Sequence, residues 1–458
     1  MSLKLRELVY PAQQTDASRK VLSAFVKEAV HPKYVLAETV LRGVGFHYGD
    51  MPTLLRKTLE EHFDSGVLNY LISTSTLLHG VNLPARNLFL YKPFRGANRP
   101  LESVDFWNLA GRAGRLGKEF AGDVFLVDYE SWQSKPLSGP RRQRVTSALT
   151  KHLTTSPDEL IEYIRDSDRK SDPRRTVDEY EGTMVRLFAD YRQKKLETTF
   201  ERAGLPPTSE VAIRVSAALA EIATAITLPD EVVLASPTVS LHRQQRLYNY
   251  LATRIPQKGA EDFLPYHPLD ERSYGRLLVI FKRLHTYVLG INKSDNQHKY
   301  FAAIAQSWMR GDPIPKIIET SFRIRKRKHP NARLATTIRA VLEEIEDALR
   351  FRYVRLSSCY NAVLEYALKN LGYPQAATKI VPLPLFLEIG ASSGSMVSLM
   401  SLGLSRISAS RLTEFTTRKN MNRDEAFDWL RAQNLDVLDL SPIMAEEIRT
   451  IVAAGSHS

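Results

Sequence analysis

The sequence predicts an α/β lobe, a parallel sheet with flanking helices, followed by mostly α-helical domains. Three observations carry that reading. Residues 33–130 alternate short apolar runs with helical patterns, as expected where helices connect parallel strands. Beyond Ser134–Arg144, a segment holding Pro136, Gly139-Pro140 and three arginines, almost every window has helical periodicity. The 458 residues, 43% hydrophobic and 25% charged, have ordinary globular composition and suffice for about three domains or more.

The elements follow in order. Val44–His47, Leu68–Ser73, Asn87–Tyr91 and Val124–Asp128 are short, apolar and rich in β-branched or large side chains, and are expected to be strands. Between the first two, Thr53–Phe63 places Leu54, Leu55, Leu59 and Phe63 on one helical face, with Pro52 as a helix-entry residue. Composition shifts at Ser134–Arg144, Leu228–Pro237 and Tyr373–Pro384 divide the chain into 1–135, 136–235, 236–372 and 373–458. Within the third unit a periodic stretch from Asn331 to about Asn370 puts Leu334, Ile338, Val341, Leu342, Ile345, Leu349 and Val354 on one face. Immediately before it runs Arg323-Ile324-Arg325-Lys326-Arg327-Lys328-His329.

Charge points to a polyanion. The formal net charge is +12, from 63 Lys and Arg against 51 Asp and Glu. Such an excess suits nucleic acid or an anionic membrane. It is concentrated: residues 1–150 carry 20 basic against 14 acidic residues, and residues 301–340 carry 9 against 2. The run Arg325–Lys328 reads either as a solvated helix end or as a nucleic-acid contact. The single cysteine, Cys359, excludes an internal disulfide and points to a reducing compartment. No apolar stretch reaches the roughly 18 residues of a spanning helix, and the N-terminus has no secretory pattern. A cytoplasmic protein without a membrane partner is the expectation. The eleven histidines form no ligand-spaced cluster, so no metal site is expected.

Two blocks carry chemistry. In Gly111-Arg112-Ala113-Gly114-Arg115, two guanidiniums three residues apart on a glycine-bearing helix start would face one way, and their planar forks suit phosphate oxygens. In Ser73-Thr74-Ser75-Thr76-Leu77-Leu78-His79-Gly80-Val81-Asn82-Leu83-Pro84-Ala85, hydroxyls and free N–H groups follow a strand's carboxyl end, where open α/β sheets bind ligands. Either block alone also reads as a locally satisfied turn.

Together, with a strand between them, the blocks resemble motifs V and VI of superfamily 2 helicases, and more narrowly the superkiller-like DExH branch. Phe46-His47-Tyr48-Gly49-Asp50-Met51 is similar to that branch's histidine–glycine turn facing nucleic acid. The resemblance identifies residues 33–130 with the second RecA-like lobe and covers about a fifth of the chain. It implies that Arg112 and Arg115 reach ATP across the lobes, and that Gly80, Asn82, Asn108 and Gly111 line the nucleotide-coupling side. It implies that His47, Thr74 and Thr76 touch the nucleic-acid backbone. Asn108 stands where the family usually has Gln.

Similar helicases continue into a winged-helix connector and a ratchet-like helical bundle. Trp308–Pro313 resembles a turn of that bundle, and Leu402–Ala409 resembles a helix-hairpin-helix, with Ser405 at the second glycine. Leu385–Leu412 faintly resembles helicases of phage-defence systems.

No Gly-x-x-x-x-Gly-Lys-Ser/Thr loop and no Asp-Glu-x-His occur in the sequence. Asp424-Glu425 is expected to be a helix's first-turn acids. The expectation is therefore the C-terminal portion of an ATP-dependent DNA or RNA helicase. It would need ATP and Mg²⁺ in the intact two-lobe enzyme and bind single-stranded nucleic acid. It would lack the first RecA-like lobe and be inactive towards ATP alone. A stand-alone nucleic-acid-binding module and one subunit of a split helicase are the alternatives.

Overall fold

The computed structural model describes residues 16–74, 85–95, 99–111, 113, 122–142, 145–166, 179–291 and 296–455. Helix α1 (Ala17–Ala29) starts at Asp16, whose carboxylate accepts the Ser18 N–H, and buries Leu22, Phe25 and Val26. Strands β1 (Val44–His47) and β2 (Tyr70–Ser73) pair in parallel, Val44 opposite Tyr70 and His47 opposite Ser73. The crossover that parallel strands require is helix α2 (Thr53–Asp64), which buries Leu54, Leu55 and Leu59. A second parallel pair joins β3 (Asn87–Tyr91) to β4 (Asp123–Val127), with α3 (Ser103–Ala110) between them in sequence.

The expected strands at 44–47 and 87–91 coincide with the observed ones, and the other two shift slightly. Leu68 N–H donates to the His62 carbonyl, so Leu68 closes the helix-to-strand turn instead of joining β2. Asp128 takes a left-handed conformation (φ 56°) and leaves β4. Pro52 stands at the N-cap of α2, immediately before Thr53, as a helix-entry residue. The arginine block differs most. Gly111 ends α3, its N–H donating to the Trp107 carbonyl at 3.0 Å, and Ala113 forms a parallel bridge with Ala85. Gly111 therefore closes a helix; it does not start one.

The remainder is helical. Helices α4 (Pro157–Arg165), α5 (Glu181–Arg192) and α6 (Glu210–Ala223) pack together. Then come α7 (Leu241–Lys258), α8 (Ser273–Arg283), α9 (Gln297–Met309) and α10 (Ile314–Lys328). Helix α11 is continuous through Leu334–Glu343, a π-helical stretch Glu344–Tyr353, and Val354–Asn370. The chain finishes with α12 (Leu383–Ile389), α13 (Gly394–Ser401), α14 (Arg406–Leu412), α15 (Arg423–Arg431) and α16 (Pro442–Gly455).

Among the described residues, three apolar cores hold these layers. The largest runs from Leu22 and Leu55 through the helices to Leu368, so α1, α2 and the bundle share one interior. Leu90, Leu101, Phe106, Leu109 and Trp132 form a separate core beneath the β3–β4 pair. A third, around Met396, Leu399, Leu412 and Leu430, belongs to the C-terminal helices.

A buried ionic cluster ties α5 to α7 and α11. Glu181 of α5 is 1% exposed, and its carboxylate accepts from Arg243 of α7 at 2.7 Å and from Arg355 of α11 at 2.6 Å. Among the described residues no single helix is long and apolar enough to cross a membrane. A bent pair, Leu383–Ile389 with Gly394–Ser401, passes on length and composition, but Leu383, Leu387, Met396 and Leu399 are buried within the chain's own cores.

Candidate nucleotide and nucleic-acid interface

Arg112, Arg115, Gly80, Asn82 and Thr76 lie outside the described residues. Of the same two blocks, Ser73, Thr74, Ala85, Gly111 and Ala113 are described. Thr74 is exposed directly after β2, and its carbonyl accepts the Ser73 hydroxyl. Asn108 and Gly111 are exposed on the last turn of α3 and at its cap. A helix C-terminus carries partial negative charge and by itself repels phosphate. Positive charge at this edge must therefore come from side chains; Arg112 and Arg115 follow at once in sequence and lie outside the described residues. The donor types fit an ATP terminal phosphate held by guanidiniums.

His47 was expected at the nucleic-acid backbone. The structure places its ring inside the lobe, 1% exposed, with Nε2 4.0 Å from the Glu60 carboxylate of α2. Burial, and secondarily Arg56, lower its pKa to about 4. A strand alternates its side chains between faces, and the last residue of β1 faces inward here.

This burial has a pH signature. The native ring stays neutral while the unfolded ring takes up a proton below about 6.5. The contribution to stability is thus present above that pH and is lost as pH falls towards 4. Asp50 works in the opposite sense. Burial, then Asp347, Glu343 and Glu346, raise its pKa to about 6, so its contribution is lost as pH rises through that value. In thermal melts from pH 7 down to 4, His47→Gln should gain midpoint relative to wild type as the pH drops. A constant difference would refute this account.

Asp50 also lines a groove of about 840 Å³ between α2, α11 and the C-terminal helices. Its wall carries Glu61, Glu346, Glu388, Glu446 and Glu447 against Lys57, His62, Arg350 and Arg406. With Arg350 already paired to Glu346 at 2.5 Å, this groove is acidic and unsuited to a phosphate backbone.

The basic run ends α10. Arg325 is half-buried and donates to Glu344 and to the Tyr300 hydroxyl, joining α9, α10 and α11. It is a structural tie, whereas Lys326, Arg327 and Lys328 are exposed. Three cations on a last turn favour the helix dipole and remain open to a polyanion.

Ser405 requires a correction. It caps α14: its N–H donates to Glu447 at 2.9 Å and its hydroxyl to the same carboxylate at 3.0 Å. A carboxylate from α16 thus holds the position a backbone phosphate would need. Gly390-Ala391-Ser392-Ser393-Gly394 is the turn between α12 and α13, with Ser393 as N-cap. Asp424 and Glu425 are first-turn acids of α15, Glu425 closing a capping box with Asn422.

The neighbouring Arg406 had no sequence signal. It is half-buried with its guanidinium 3.8 Å from the Trp308 ring centre, and it donates to the carbonyls of Gly390, Trp308 and Asp312. Desolvation brings its pKa down to about 9, so it remains charged at neutral pH and latches the C-terminal helices to α9. Among the described residues no group of three or more His, Cys, Asp or Glu could hold a metal ion.

No protein-family model matches the chain. Individual relatives do. Anti-bacteriophage protein B of Escherichia coli K12 is 31% identical over 167 residues, 36% of this chain and 23% of that protein. ATP-dependent DNA helicase Hel308 of Aeropyrum pernix is 38% identical over 95 residues, 20% of this chain and 13% of that protein. The human Helicase POLQ-like protein is 34% identical over 128 residues, covering 28% and 11%. The chain thus spans less than a quarter of the length of these relatives. With the parallel strands and the helical continuation, these similarities support a region similar to part of DNA helicases, an α/β RecA-like lobe followed by helical domains.

Proposed function

We propose that this chain is the strand-holding, arginine-bearing portion of an ATP-dependent superfamily 2 helicase. Residues 1–135 form its second RecA-like lobe, 136–235 a connector, 236–372 a ratchet-like bundle and 373–458 a C-terminal helical region. The observation that carries this reading is the pairing of the Thr74–Ala85 block with the Gly111–Arg115 block around β3. Similarity to Hel308 and to the POLQ-like protein supports it, and the former, an ATP-dependent DNA helicase, favours DNA over RNA. Anti-bacteriophage protein B supports a setting in defence against phage.

ATP with Mg²⁺, when bound, supplies the energy of translocation, and a first lobe in the same or another chain brings the phosphate loop. This chain's part is to offer Arg112 and Arg115 to the terminal phosphate, a contribution of roughly 10³–10⁵ in rate for such arginines. Thr74 and Thr76 hold the strand, with Gly80 and Asn82 relaying between the two. Exposed cations on α10 add affinity without reading sequence.

The purified chain is expected to bind labelled single-stranded oligonucleotides and to leave ATP intact. Reversal of Lys326, Arg327 and Lys328 to Glu should weaken binding about tenfold at moderate salt. ATP turnover abolished by Arg112→Ala would overturn the inactivity of the lone chain. Absence of any oligonucleotide binding would sink the strand-holding reading.

A further inference from the structure

Helices α7 and α8, the loop between them and the π-helical turn Leu284–Val288 line an open cavity of about 640 Å³. It shares no lining residue with the groove or the basic run described above. Its wall is aromatic and cationic at once. Tyr250 stacks on Tyr287 with ring centres 4.0 Å apart and planes within 21°. Tyr266, on the intervening loop, has the Arg272 and Arg276 guanidiniums over its ring at 4.6 and 4.9 Å.

Charge is left over after internal pairing. Arg276 and Arg283 share Asp262, at 3.4 and 3.2 Å, and Arg272 is held by Asp270 at 2.9 Å. Lys258 and Lys282 are exposed at the rim and have no ion pair among the described residues. Deeper in, Arg283 is 5% exposed, and its Nε is buried with no hydrogen-bond partner among the described residues. Five cations thus face two carboxylates, and the unpaired ones stand where a ligand would enter.

Aromatic faces beside unneutralised cations are what single-stranded nucleic acid uses, bases on the rings and phosphates on the charges. A free nucleoside triphosphate would instead call for a glycine-rich loop or a helix N-terminus to wrap its phosphates. Here the cations are spread over the ends of two helices, which suits a backbone passing across the opening.

We propose that this cavity is a second strand-binding site, taking one or two nucleotides of single-stranded nucleic acid. The bases lie against Tyr266 and the Tyr250–Tyr287 pair, and the phosphates against Lys258 and Lys282. The proposal rests on the nucleic-acid-binding reading above but not on ATP hydrolysis. It gives the bundle a contact separate from α10, so a strand held at both is held at two points.

Fluorescence anisotropy with a labelled oligothymidylate of about 20 nucleotides tests it, using wild type, Lys258→Glu/Lys282→Glu and the α10 triple reversal. The cavity variant should bind about tenfold more weakly at moderate salt, its log–log salt slope smaller by about two, with an unchanged melting temperature. Photocrosslinking of a 4-thiothymidine oligonucleotide to wild type should label the peptide holding Tyr266 or Tyr287. Affinity and slope unchanged in the cavity variant, with binding lost in the α10 variant, would overturn this site and leave the proposed function standing. Failure of wild type to bind would overturn both. Displacement of the crosslink by millimolar AMP would mark a mononucleotide site and overturn the strand assignment.

Discussion

Glu181→Ala is expected to cost about 3–5 kcal/mol of stability, because it strands two buried guanidiniums. Arg243 and Arg355 are 5% and 11% exposed at the side chain. Arg355 also donates to the Thr238 carbonyl, which is too little to replace the lost charge. Glu181→Gln keeps the shape and one acceptor oxygen and should lose less. Chemical denaturation followed by tryptophan fluorescence would read both. Equal losses for Ala and Gln would show that packing, not charge, holds α5 to α7 and α11. Replacing the whole triad by apolar residues of matched volume should be close to neutral, since desolvation offsets most of an ion pair's attraction.

Gly390→Ala is expected to cost about 3 kcal/mol or more, from two separate sources. Gly390 sits at φ 69°, where a Cβ is disfavoured by roughly 1–2 kcal/mol. An added Cβ would also fall 2.3 Å from Trp308 Cε2 and 2.5 Å from Arg406 Nε, and such overpacking typically costs about 1–3 kcal/mol. To make room, Trp308 would have to give up its N–H bond to the Leu387 carbonyl at 2.7 Å. The Arg406 latch would go with it. Gly372 is the matched control, at φ 85° with nothing within 4 Å of its added Cβ, so Gly372→Ala should lose only the conformational part. Comparable losses at both sites would mean that the Trp308–Arg406 contact contributes little.

The fold was legible where periodicity and burial coincide. Leu54, Leu55 and Leu59 read as one helical face and are the buried face of α2. The arginine block was legible as chemistry but not as local structure. Nothing in Gly111–Arg115 says whether its glycine opens or closes a helix; the bridge between Ala113 and Ala85 decides it, and that contact is long-range. Ser405 shows the same limit, since the carboxylate that occupies its cap comes from a residue 42 positions later. Charge runs were legible as charge only: Arg325 belongs to a half-buried tie with Glu344, and its three neighbours do not. The cavity between α7 and α8 has no sequence signature, because its tyrosines and cations are scattered over nearly 40 positions and meet only on folding.

The π-helical stretch of α11 has a consequence for comparing this chain with others. The sequence pattern set Val354 on the inner face, but Tyr353 is the side chain 1% exposed there and Val354 is only half-buried. A π turn amounts to an α-helix carrying a surplus residue. From Val354 to Asn370, each side chain therefore points where an uninterrupted α-helix would point its neighbour. A relative with a plain α-helix must be aligned with a one-residue gap inside 344–353. Without that gap, its core positions would be matched to residues about 100° round the helix from this chain's own, one edge of the buried face against solvent.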